Sequence, residues 1–126
     1  MIPSIELLSA VLGEEIASVD VVDNTVRCTV LDYIEEDGEL TYIDSGANIS
    51  IYELMHWMKV WASKRGFELF SATTVEGKGV CCMVTEDYDL EEASIHEGSY
   101  TRESTEFEAV TQDCEWILKQ GPLWLN

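Results

Sequence analysis

Two segments of the chain open with a hydroxyl residue followed three places later by glutamate, and each then carries a helical apolar stripe up to a glycine. The first is Ser50-Ile51-Tyr52-Glu53, leading into Leu54, Met55, Met58 and Ala62 and stopping at Lys64-Arg65-Gly66. The second is Thr105-Glu106-Phe107-Glu108, leading into Val110, Cys114, Ile117 and Leu118 and stopping at Gly121-Pro122. In such a capping box the hydroxyl accepts an early backbone N–H while the glutamate reaches back, and glycine supplies the left-handed C-terminal residue. The two segments therefore predict two long helices, and whatever else the chain forms must fit before and between them.

Between and before these helices the apolar period is two. Ile16, Val19 and Val21 precede Asp23-Asn24, and Val26, Cys28 and Val30 follow it, which predicts a β-hairpin. Glu35-Glu36-Asp37-Gly38-Glu39 reads as an acidic turn, Leu40-Thr41-Tyr42-Ile43 as a third strand, and Asp44 to Asn48 as a polar loop. A second hairpin is expected from 67–73 and 80–85 around Val75-Glu76-Gly77-Lys78-Gly79, both glycines being candidates for positive φ. Ala93-Ser94-Ile95 is a possible edge strand. Near the start, Pro3 suits a first helical position, with Ile5, Leu8 and Leu12 as the apolar face and Gly13 as the stop. The order helix, three-strand meander, helix, hairpin, helix predicts an α+β fold with helices packed on an antiparallel sheet. The 126 residues, 46% apolar, suit a single domain.

The chain carries a net charge of −18, and the charge is unevenly placed. Residues 1–50 hold eleven acids and one base, residues 51–80 three acids and four bases, and residues 81–126 eleven acids and two bases. Such a field repels nucleic acid and anionic membranes and speeds encounter with cations, so direct nucleic-acid binding is not expected. No apolar run approaches the roughly 20 residues a membrane-spanning helix needs, and the N-terminus lacks a basic region followed by an apolar one. A cytoplasmic protein is the expectation, with Cys28, Cys81, Cys82 and Cys114 reduced.

The segments Ile51-Tyr52-Glu53-Leu54-Met55-His56-Trp57 through Trp61-Ala62, and Thr105-Glu106-Phe107-Glu108-Ala109-Val110 through Cys114-Glu115-Trp116-Ile117, resemble a family of small phage and prophage proteins, the phage ABA-sandwich domain. The resemblance covers roughly residues 49–120. It implies a fold and a mobile-element setting, and no catalytic residue.

The residues offer little chemistry. The four cysteines, His56 and His96 show no zinc-type spacing, and the cysteines fall on apolar faces, where a thiol behaves as a small hydrophobe. Glu86-Asp87-Tyr88-Asp89-Leu90-Glu91 alternates carboxylates without the central glycine of a calcium loop. Gly77-Lys78-Gly79 lacks the flanking pattern of a phosphate loop. No catalytic residue, metal or cofactor is expected, and the chain reads as an interaction protein. Glu35, Glu36, Asp37 and Glu39, with Glu86, Asp87, Asp89, Glu91 and Glu92, are the candidate surface for a basic partner, in the manner of a nucleic-acid mimic or an inhibitor of a host nucleic-acid-binding system. Trp57, Trp116 and Trp124 are candidate interface aromatics, because tryptophans on otherwise polar faces anchor contacts. A homodimer built on Trp116 and the Leu123-Trp124-Leu125 tail, serving as an accessory domain, is the alternative.

Overall fold

The computed structural model of the chain describes residues 2–85 and 100–120. Three helices and two three-stranded antiparallel sheets mix along these residues, an α+β fold. The expected single sheet is realised as two. The residues group into two compact units, with the boundary between Leu54 and Met55.

The first unit opens with α1, Ile5–Leu12. Ser4, not Pro3, sets its start: the Ser4 hydroxyl accepts the Leu7 N–H at 3.1 Å, which places Pro3 ahead of the cap. That shift of frame also corrects the apolar face. Leu7 and Leu8 are fully buried while Ile5 is exposed. Gly13 closes the helix at φ 69°, its N–H returning to the Ser9 carbonyl. Three strands follow in the order β1-β2-β3: β1 Ile16–Val22, β2 Thr25–Glu36 and β3 Glu39–Ser50. Asp23 and Asn24, at φ 48° and 62°, make the β1–β2 turn, and Asp37 and Gly38, at 51° and 80°, make the β2–β3 turn. Two successive positive φ values give the turn whose twist matches the strands it joins.

Two expectations are corrected in this sheet. Glu35, Glu36 and Glu39 are strand residues, and only Asp37-Gly38 turns. Asp44–Asn48 is not a loop either, because β3 continues through it in unbroken register with β2, Val30 opposite Ser45, Thr29 opposite Gly46 and Cys28 opposite Ala47. Backbone pairing to an already ordered strand satisfies the N–H and C=O groups of a segment whose own side chains have little β preference. Ile16, Val26 and Cys28 join Leu7 and Leu8 among the buried apolar residues of this unit.

Helix α2, Ile51–Lys64, begins as its capping box requires, with the Ser50 hydroxyl accepting the Glu53 N–H at 3.1 Å. Leu54, Met55, Met58 and Ala62 are buried along the expected stripe. In the second unit β4, Glu68–Thr73, and β5, Gly79–Val84, form the expected hairpin, and Tyr100–Glu103 adds a third strand, β6, on the far side of β5. The possible strand at Ala93-Ser94-Ile95 lies outside the described residues. Helix α3, Glu106–Gln120, starts with the Thr105 hydroxyl accepting the Glu108 N–H at 3.1 Å. It packs on all three strands through Phe107, Ala109, Val110, Cys114 and Ile117. The two glycines of the β4–β5 turn prove unlike: Gly77 has φ 85°, whereas Gly79 is a strand residue kept small by its neighbours.

Candidate interaction surface

Strands β2 and β3 run far beyond the strand that supports them. The ladder of β1 on β2 ends at Ile16 opposite Val30, and the Glu15 carbonyl takes one more bond, from the Leu31 N–H at 2.8 Å. The chain cannot continue alongside β2, because Gly13 has already turned it into α1. From Asp32 onward β2 has, among the described residues, only β3 beside it, through five pairs from Asp32–Ile43 to Glu36–Glu39. At about 3.3 Å per residue this is an arm roughly 15 Å long.

A bare two-stranded ribbon is marginal in water. Side chains hold this one together. The Tyr33 and Tyr42 rings meet edge to face with centroids 4.6 Å apart. The Tyr33 hydroxyl donates to Oε2 of Glu15, and the Ser45 hydroxyl donates to Oδ2 of Asp32 at 3.2 Å. The Glu15 carboxylate pushes the Tyr33 phenol up to about 12, first by accepting its hydrogen and, less strongly, by its charge.

Cross-strand partners share a face, so the register assigns the arm's two surfaces. One carries Tyr33, Tyr42, Leu40, Glu35 and Asp44; the other carries Ile34, Thr41, Ile43, Asp32, Glu36 and Glu39. The apolar side chains on both are open to solvent, Leu40 at 64% and Tyr42 at 63%. Residues 31–46 include six carboxylates and no base. At the tip Glu36 stands directly opposite Glu39, an arrangement that like charges make unfavourable unless a cation relieves it. The candidate acids Glu35, Glu36, Asp37 and Glu39 are thus gathered on one exposed hairpin end. Glu86, Asp87, Asp89, Glu91 and Glu92 lie outside the described residues, as does Trp124.

The remaining candidates belong to the second unit. Trp57 is half exposed beside His56, ring centroids 5.2 Å apart. Trp116 is also half exposed, its ring meeting Phe67 edge to face at 5.9 Å. What sequence reasoning missed is the exposure of Tyr33, Ile34, Leu40, Tyr42 and Ile43. Their alternation signals strands, and nothing local tells that β1 stops short of them.

Elsewhere the chemistry is that of packing. All four cysteines are free and buried. Burial, followed by the nearby Asp113, raises the Cys81 and Cys114 thiols far above the ordinary range. Asp113 is itself buried: Thr101 donates its hydroxyl to Oδ1, and Oδ2 has no partner among the described residues. Desolvation raises its carboxyl, and the bonds from Thr101 and Cys81 act against that rise. A shallow concavity of about 430 Å³ on the first sheet is lined by residues that include Ser18, Asp20, Arg27, Cys28, Thr29 and Asn48. No group of three or more His, Cys, Asp or Glu side chains that could hold a metal occurs among the described residues. No helix among them is long and apolar enough to cross a membrane.

Compared with protein-family models, curated proteins and solved structures, the chain matches none. The geometry of the arm carries the functional reading by itself.

Proposed function

We propose that the chain is an acidic, non-enzymatic interaction protein that binds a basic protein partner through the β2–β3 arm. The observation that carries this reading is the arm itself, an exposed ribbon holding six carboxylates, no base and a set of open apolar side chains. Apolar surface left in water forgoes about 25 cal/mol per Å² that burial would return, and a carboxylate pair held opposite itself gains from an approaching cation. Both features favour the same kind of occupant. A protein that ordinarily holds the phosphates of nucleic acid presents such cations, so interference with a nucleic-acid-binding system is the proposed role. A mobile-element setting is part of this proposal, carried over from the resemblance of roughly residues 49–120 to small phage proteins.

The test is capture on immobilised protein from a lysate with stepwise salt elution, run in parallel with a variant carrying Glu35→Gln, Glu36→Gln, Asp37→Asn and Glu39→Gln. Exposed charge pairs are screened over about 10 Å at 0.1 M salt, so a genuine partner is released at moderate salt. A basic nucleic-acid-binding protein retained by the parent, displaced by duplex DNA and lost with the variant supports the reading. Equal retention by both proteins moves the site away from the arm. Failure to retain any basic protein removes the proposal.

A further inference from the structure

The arm's backbone indicates how a basic partner is held, an inference that rests on the proposed function. In the order β1-β2-β3 the outer side of β3 has no strand beside it among the described residues. Natural sheets guard such edges with lysine, proline, bulges or very short strands. β3 uses none of these: it is twelve residues long, contains no Lys, Arg or Pro, and keeps unbroken register with β2 from Glu39 to Ser50. The other edge strand is treated differently, since β1 is seven residues long with a register shift between Ile16 and Ser18.

We infer that the outer edge of β3, from Glu39 to Ser45, receives an extended segment of a basic protein as an added antiparallel or parallel strand. Main-chain bonds to an open edge supply affinity in this mode, and side chains on the two faces supply selectivity. The charge pattern specifies the occupant. On one face the Tyr33–Tyr42 pair lies between the Glu35–Leu40 pair toward the tip and the Leu31–Asp44 pair at the base; on the other the Ile34–Thr41 pair lies between the Glu36–Glu39 pair and the Asp32–Ile43 pair. The complement is a short run of β-branched or aromatic residues flanked at both ends by lysine or arginine. A second copy of this chain is the wrong complement, because its arm would set six carboxylates against six and its net charge is also −18.

The probe is the synthetic peptide Lys-Lys-Val-Thr-Val-Thr-Val-Lys-Lys, compared with the same peptide N-methylated at two successive central amides, which keeps the charge and removes donors on both edges. An oligolysine of equal length is the third ligand. The expected result is binding of the parent peptide with slowed amide exchange along β3. Methylation should weaken it about tenfold or more, and so should Leu40→Ser with Tyr42→Ser in a chain whose circular dichroism is unchanged. Equal affinity for the parent and methylated peptides overturns strand addition while leaving a charge-based site in place. If neither the peptide nor oligolysine binds, the proposed function fails together with the inference. Sedimentation showing a dimer that the Leu40→Ser, Tyr42→Ser chain cannot form would overturn it in favour of a second copy.

Discussion

A Cβ added at Gly79 would stand 1.9 Å from the carbonyl carbon of Thr105 and 2.1 Å from the amide nitrogen of Glu106. The first residue of β5 therefore touches the backbone at the start of α3, and a strand and a helix far apart in sequence are fitted to each other at a point where only hydrogen leaves room.

Gly79→Ala should be strongly destabilising, by about 2 kcal/mol or more, because backbone rather than a flexible side chain has to move. Gly46→Ala is the control. A Cβ there meets nothing within 4 Å and the backbone needs no positive φ, so alanine should be neutral or stabilising by up to about 1 kcal/mol. Urea unfolding of both variants decides, and a Gly79→Ala chain as stable as the parent would contradict the close approach.

Asp113 predicts a pH dependence with a definite sign. Its folded carboxyl is raised above the ordinary 3.8 by burial, so the folded chain keeps a proton that the unfolded chain has released. Stability from this group is full below about pH 3.8 and declines as pH rises through the folded pKa, because the folded state binds more protons in that window. Asp113→Asn keeps an oxygen for the Thr101 hydroxyl and removes the titration. The variant should gain on the parent as pH is raised from acid to neutral, and thermal melts at matched pH values test it. A gap between the two proteins that stays constant with pH would count against this account.

The Tyr33 phenol, pushed up to about 12 chiefly by its hydrogen bond to Glu15, should fall part of the way toward 10 in Glu15→Gln, because the neutral amide is a weaker acceptor than the carboxylate and carries no charge to oppose the phenolate. Ultraviolet titration of the parent, Glu15→Gln and Tyr33→Phe isolates this tyrosine by difference. An unshifted curve in Glu15→Gln would show that the arm is not fastened to the start of β1 in this way.

Cys28, Cys81, Cys82 and Cys114 are buried, and burial lifts each thiol pKa, with Asp113 adding to the rise at Cys81, Cys82 and Cys114. Since the thiolate is the reactive form, a maleimide should label none of the four in the folded chain and all four in denaturant. Rapid labelling of the native protein would place a thiol at the surface.

Helices α2 and α3 were written in the sequence, because a capping hydroxyl, a glutamate three residues on and an apolar stripe act within a few turns of chain, and Ser50 and Thr105 do bond as the spacing demands. The turns at Asp23-Asn24 and Asp37-Gly38 were equally local, as were the acids of the arm's tip. Three features needed the rest of the molecule. Asp44–Asn48 is strand because β2 offers a ladder, Gly79 is glycine because Thr105 lies against it, and Tyr33, Leu40 and Tyr42 are open to solvent because α1 turns the chain away before β1 can cover them. Caps and turns are settled by forces between near neighbours in the chain. Which surfaces stay bare depends on where distant segments begin and end, and that is decided only when they pack.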